Sequence, residues 1–471
     1  MTPAARRVAA LLAGALSLGA CSPPPHREAG IPAPAAATTP AGATSTTTGA
    51  VTARQGAWPT YDHDPGRSGV DPTSPPVGRV RPAWRSARLD GAVFAQPLVV
   101  GRTVYVATED DSVYALDAAT GAIRWRRHLA SPVPASSLPC GDIDPSGITG
   151  TPAADPAAGV LWVVTFSPPG RHTLWALDLR TGAVRRSRPA DPPGADGRVE
   201  QQRGALVIDR SRVYIPYGGL FGDCSDYRGW LVGVGLAGHD VAYATPTARS
   251  GIWAPPGPVV APGGSIYVAT GNGLPAGVAG DSNSVVRLSP SLAVEGVFTA
   301  STFAAMSAAD EDLGSTSPAL LPGGLLFQIG KPGVGYVLRA ASLGGVGGQA
   351  ASAHICSGGF GGTAVSGDVV YVSCYDGLYA VRVAAASPGG RPALTVVWSD
   401  RGFRPGPPVI AGGAVWAVEA SAGAVVGVAA ATGAVLYRHS VSVAGSFPSP
   451  SAAAGRLFVP AGDRIAAFAG V

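Results

Sequence analysis

The stretch YVATEDDSVYALDAATGAIRW, residues 105–125, holds the fold of this chain in miniature. An apolar run, Tyr105-Val106-Ala107, meets a polar break and resumes as Val113-Tyr114-Ala115-Leu116-Asp117. The turn Asp117-Ala118-Ala119-Thr120-Gly121 follows, and then a segment carrying Trp125. Alternation with a period of two, punctuated by Gly and Asp, is the grammar of strands and tight turns, and no helical period competes with it. Just upstream, Val100-Gly101-Arg102-Thr103 supplies the positive φ that a tight hairpin needs. One such unit therefore contains four strands.

The unit recurs. Apolar runs equivalent to Val104–Ala107 begin at residues 104, 161, 213, 266, 325, 370, 415 and 457. The turn returns as Asp178-Leu179-Arg180-Thr181-Gly182 and as Ala431-Thr432-Gly433, and Tyr437 repeats the bulky position of Trp125. Eight copies at spacings of roughly 50 residues are the signature of propeller blades. The eighth copy stops at Val471 without an outer strand, and a spare strand, Val80 to Leu89 with Trp84, precedes the first. Pairing the two completes the eighth blade and removes an open edge. The expected fold is an all-β, eight-bladed β-propeller of four-stranded antiparallel blades over residues 58–471, closed by an N-terminal strand. A sandwich or right-handed β-helix is the structural alternative.

Outside the repeats, Arg6-Arg7, the apolar run Val8 to Leu18 and Leu18-Gly19-Ala20-Cys21 read as a secretory signal. The apolar run is too short for a bilayer span, which takes roughly 20 residues. Leu-Gly-Ala-Cys resembles the bacterial lipobox, which implies a signal peptide over 1–21 and lipidation of Cys21. Residues 22–57, rich in Pro, Ala and Thr, read as a disordered linker. An exported, lipid-anchored chain on the outer face of the cytoplasmic membrane or in the cell envelope is the expectation. The net charge of +4 has no basic block, which argues against a nucleic-acid partner. The four remaining cysteines form an even set in an exported chain, so two disulfides are expected. Three pairings are open. Cys356–Cys374 is favoured because the two bracket one hairpin, and Cys140–Cys224 because each is read in a connecting loop of adjacent repeats.

Residues 105–125 resemble the quinoprotein-like repeat, as does the opening from Trp58-Pro59-Thr60-Tyr61 to Gly69. That resemblance implies either a dehydrogenase using pyrroloquinoline quinone (PQQ) and calcium on the propeller axis, or a non-enzymatic propeller lipoprotein of outer-membrane protein assembly. Several strings are similar to the enzymes' site. Gly251-Ile252-Trp253 resembles the cofactor's aromatic floor, and Thr270-Gly271-Asn272 a calcium-ligand segment. Asp223-Cys224-Ser225-Asp226-Tyr227-Arg228-Gly229 is similar to the segment with the acidic calcium ligand. Asp310-Glu311-Asp312 resembles the segment bearing the catalytic base, here Asp310, and Lys331, the only lysine in the chain, the cofactor's cation. Hard oxygens for calcium, a base and an electrophilic carbonyl are what that chemistry requires.

The departures are equally specific. The enzymes' adjacent cysteine pair is absent, the acidic ligand is Asp rather than Glu, and Ala308-Ala309 stand where a Trp precedes the acidic segment. Arg339 stands where the repeat expects Asp. No HExxH, GxSxG or P-loop string occurs. The leading expectation is therefore a monomeric, non-enzymatic envelope scaffold that binds a protein or small molecule and needs no cofactor. The alternative is a PQQ- and calcium-dependent alcohol or sugar dehydrogenase.

Overall fold

The computed structural model describes residues 56–384 and 390–471. The expectations for the signal peptide, for Cys21 and for nearly all of the linker lie outside them. Eight antiparallel sheets succeed one another along the chain, from Leu98–Val100 at the start of blade 1 to Ile465–Ala469 in blade 8. The first strand of a blade touches the first strands of its neighbours, for example Leu98–Val100 with Ala153–Asp155 and with Ser451–Ala453. First strands are thus innermost, and the sheets radiate from a central axis. The fold is an eight-bladed β-propeller.

Blade 8 closes as the strand arithmetic requires. Arg81–Arg85 pairs antiparallel with Ile465–Ala469, in the register Trp84 to Ala467. The closing strand is shorter than the Val80–Leu89 expected. Two blades also gain a short parallel partner: Val70–Asp71 joins Val409–Ala411, and Gly345–Val346 joins Val294–Thr299. Among the described residues one α-helix, Phe303–Ala309, interrupts the link between blades 4 and 5. Seven residues make barely two turns, too few to show helical periodicity in sequence.

The repeat grammar has a packing cause. Trp84, Trp125 and Trp398, each on an outer strand, donate their indole N–H to Ala118, Leu179 and Ala430, in the turn of the next blade. Each ring lies on the turn glycine: a Cβ on Gly121, Gly182 or Gly433 would meet ring carbon at 2.5–2.6 Å. These glycines also hold φ near +70°, so two demands exclude other residues. One blade's tryptophan and the next blade's Thr-Gly are halves of one contact.

The ring's centre is filled. The opening segment Trp58–Gly69 threads through it, exchanging backbone hydrogen bonds with Val99 of blade 1, and Pro59 O accepts from Ala154 of blade 2. Val260, Val365 and Ile410 donate to Pro65, Ser68 and Gly69. Buried Arg67 donates to Thr60 Oγ1, Tyr61 O, Leu206 O and Pro258 O, and Tyr61 shares a hydrogen bond with Ser449. This segment satisfies backbone groups of at least five blades at once, which a buried interior demands.

Both disulfides form, Cys140–Cys224 and Cys356–Cys374. One detail differs from expectation. Cys140 lies in the link between blades 1 and 2, but Cys224 sits in a hairpin loop inside blade 3, between Arg212–Gly219 and Trp230–Gly235. Antiparallel order explains how they meet. Links between blades and the loops joining second to third strands all emerge on one face of the ring, called the loop face below. Replacing Cys356 and Cys374 by serine opens an 18-residue loop and is expected to lower unfolding free energy by about 3 kcal/mol. Equilibrium denaturation of the double variant checks this, and an unchanged midpoint would refute it.

Candidate functional site

The same topological rule gathers the candidate residues. Trp253 lies in the link between blades 3 and 4, and Asp310 and Asp312 in the link between blades 4 and 5. Asn272 and Lys331 lie in the second-to-third-strand loops of blades 4 and 5. All five reach the loop face, and four of them meet through polar contacts. The Lys331 ammonium lies 2.7 Å from Asp312 Oδ2 and 3.1 Å from Asp310 Oδ1, and it donates to Asp310 O at 3.0 Å. It sits 6.0 Å from the centre of the Trp253 ring, within cation–π range. Asn272 donates its side-chain amide to Asp310 Oδ1 at 2.8 Å and its backbone N–H to Asp312 Oδ1 at 2.7 Å.

The two acids differ in environment. Asp312 is buried and occupies the space left by Gly271, where a Cβ would fall 2.4 Å from its Oδ1. Burial lifts its carboxyl above the usual range, against the pull of Lys331. Burial also opposes the ammonium, but Asp312 and Asp310 outweigh it and hold Lys331 charged above its ordinary pKa. Asp310 caps the short helix in the left-handed conformation, φ 57°, with its backbone N–H on Met306 O. Its side chain is 67% exposed. Among the described residues no hydrogen bond is made to Oδ2, so that oxygen faces outward.

Asp223 and Asp226 do not join this group. Asp223 is exposed and accepts a hydrogen bond from Tyr227 at 2.5 Å, and Asp226 is exposed. Among the described residues, acidic groups and a histidine lie close together elsewhere, at Asp90, Asp110 and His128, and Asp376 lies beside the Cys356–Cys374 bridge.

Sequence reasoning missed an arc of part-exposed rings. Phe447, in the link between blades 7 and 8, lies 6.3 Å from Trp253 and stacks on Phe360 at 6.2 Å with planes 10° apart. Phe360 in turn lies 4.1 Å from Tyr375. Buried Arg203, 5.8 Å from the Phe447 ring, donates to Ser446 O and brings a second cation. The signal was positional: Phe447 occupies the link equivalent to that of Trp253, four blades away from it in sequence.

A planar, anionic quinone fits this mouth: half-buried aromatic faces offer stacking, and Lys331 and Arg203 offer charge. Calcium does not fit. Asn272 turns its amide nitrogen to Asp310, both Asp312 oxygens are engaged, and Asp223 and Asp226 stand apart.

Residues 81–273 match the family described as outer membrane protein assembly factor BamB. Over 240 residues, 45% of this chain, the sequence is 26% identical to a polyvinylalcohol dehydrogenase of a Pseudomonas species. The alignment spans about a third, 34%, of that curated relative's length. A quinohemoprotein alcohol dehydrogenase of Pseudomonas putida HK5 superposes with a TM-score of 0.68, at 15% identity, over 88% of this chain and 80% of that one. A europium-containing methanol dehydrogenase gives 0.66, at 16% identity, over 88% and 98%. BamB of Moraxella catarrhalis gives 0.55, at 15% identity, over 83% and 98%. At these identities the solved structures show the fold. Together with the repeat grammar, they show the eight-bladed propeller fold, and the match over residues 81–273, less than half of the chain, makes its repeats similar to the PQQ-like repeat.

Proposed function

We propose that the loop-face mouth binds a planar anionic quinone and serves alcohol oxidation. The observation that carries this reading is the convergence of Asp310, Asp312, Asn272, Lys331 and Trp253 from three successive blades onto one point. Trp253 would lie against the ring system, with Lys331 and Arg203 facing its anionic groups. When bound, the quinone supplies the two-electron acceptor. Asp310 Oδ2 accepts the hydroxyl proton of the alcohol, as a general base placed at the solvent edge of the mouth. Asn272 and Lys331 hold the other oxygen, Oδ1, and so orient the carboxylate. The 26% identical polyvinylalcohol dehydrogenase suggests secondary alcohols along a polymer as the first substrates to try.

The test is a titration of PQQ into the protein, followed by calorimetry and tryptophan fluorescence. Saturation at micromolar quinone is expected, weakened at least tenfold in Trp253→Ala. No binding at 100-fold higher quinone would end this reading.

A second reading rests on a different observation. Phe221, Leu274, Val278 and Tyr375, all in loops of the same face, are 69%, 46%, 49% and 52% exposed. Large exposed apolar groups on one face suit a protein partner. In this version an exported, lipid-anchored chain captures an envelope protein. Phe221→Ser with Leu274→Ser is then expected to abolish co-purification of that partner without changing the melting temperature, and unchanged capture would exclude it.

A further inference from the structure

Asn283 fixes how the site's amides point. It is fully buried, and its Oδ1 accepts the backbone N–H of Leu313 at 2.8 Å. A backbone N–H can only donate, so the other end of that amide, Nδ2, must face Asn272 Oδ1, at 3.1 Å, and Ser307 Oγ, at 3.1 Å. The Asn272 carbonyl oxygen is thereby engaged inside the protein, and its NH₂ faces Asp310. At Asp312, Oδ1 holds the Asn272 N–H and Oδ2 holds Lys331. What remains between the acids is one position for a positive charge, and the Lys331 ammonium stands in it, within 3.1 Å of both carboxylates.

We infer that Lys331 is the permanent, tethered cation of this site, taking the place that a divalent metal would need between Asp310 and Asp312. The inference deepens the proposed function, since it makes the mouth a metal-independent site in which the Lys331 charge, and not a divalent ion, holds the two acids in place beside the Trp253 ring. A covalently attached ammonium offers up to three N–H donors and no open coordination position. A calcium ion needs six to eight oxygens, and the amide orientation withholds those of Asn272 and the ion pair those of Asp312. Only one lysine exists in a chain that otherwise uses arginine. The narrow gap between Asp310 Oδ1 and Asp312 Oδ2 suits a compact ammonium better than a planar guanidinium.

The experiment uses metal alone, with no quinone present, so its failure is separable from failure of the quinone titration. Terbium is titrated into the full chain, with sensitised emission excited through tryptophan, Trp253 being the adjacent donor, and calcium competition follows. In the wild type no calcium-competed terbium signal that depends on Asp310 is expected below 100 µM. Lys331→Ala exposes the acid pair and is expected to gain such a signal, at least tenfold tighter than the wild type. Should Lys331→Ala fold poorly, its melting temperature with and without millimolar calcium is the second readout, with a rise expected. Wild-type binding below 100 µM that Asp310→Asn removes would overturn the inference. So would a folded Lys331→Ala that gains nothing.

Discussion

In Asp310→Asn, turnover of an alcohol by the quinone-loaded protein falls by about 10²–10⁴-fold, the range for loss of a general base, while the melting temperature stays within a few degrees. Both halves come from the same geometry. Asparagine keeps the shape and tolerates the left-handed backbone at this position, φ 57°. It can still accept from Asn272 through its oxygen, but it cannot take the substrate proton. The lost ion pair with Lys331 is largely solvent-exposed on the Asp310 side, 67%, so little stability goes with it. The ammonium also keeps its closer partner, Asp312, at 2.7 Å. Asp312→Asn behaves differently. It breaks the buried contact that holds Lys331 and the Asn272 backbone, so affinity for the quinone and stability both fall. Steady-state kinetics with circular dichroism on the two variants separates base from positioning group. Unchanged turnover in Asp310→Asn would remove the catalytic role.

The second large effect is on pH dependence, in a region the proposed chemistry does not use. Burial pushes the Asp111 carboxyl up to about 9, with Glu109 and Asp110 adding to the shift and the Phe166 N–H opposing it. Burial likewise lifts Glu109 to about 7 and Glu200 to about 8. One oxygen of each, Oδ2 of Asp111 and Oε1 and Oε2 of the glutamates, is buried without a partner. The folded state therefore retains protons that the unfolded chain releases near the ordinary carboxylate pKa. Stability is full below that value and is lost as pH rises toward the folded pKa. For Asp111 alone the loss is about 1.4 kcal/mol per pH unit, or about 4 kcal/mol between pH 5 and 8. In Asp111→Asn the side chain is neutral at every pH, keeps an acceptor for Phe166, and suits the positive φ of 50°. The variant is expected to match the wild type at pH 5 and to exceed it at pH 8. Chemical denaturation at both values decides the point, and parallel pH profiles for the two proteins would refute it.

Much of the fold was legible because it is local. Each strand pairs with one a few residues away, the turn glycines sit at a constant offset, and the missing eighth outer strand matched the spare strand around Trp84. The Cys356–Cys374 pair followed from one hairpin. The Cys140–Cys224 pair was named correctly with a wrong address for Cys224, because a link and a hairpin loop look alike in sequence and differ only in which strands flank them. The helix Phe303–Ala309 was missed for its length. The plug formed by Trp58–Gly69 was visible only as a motif, since its partners are spread over blades 1 to 8.

For the site, the residue types at Asp310, Asn272, Lys331 and Trp253 could be read as a set through resemblance, and the structure draws them to one mouth. Their use is another matter. Repetition along the chain determined the blades, their number, the closing strand and the docking of tryptophan on glycine, because those contacts recur between residues at fixed spacing. Which atom faces which at the loop face was decided by tertiary structure alone. Asn283 takes its orientation from the backbone of Leu313 and passes it to Asn272, Gly271 makes room for Asp312, and Phe447 arrives from a link at the far end of the chain. Such contacts run within and between loops of the face and have no period. The aim of an amide or the neutralisation of an ammonium depends on every neighbour that burial brings within 3 Å.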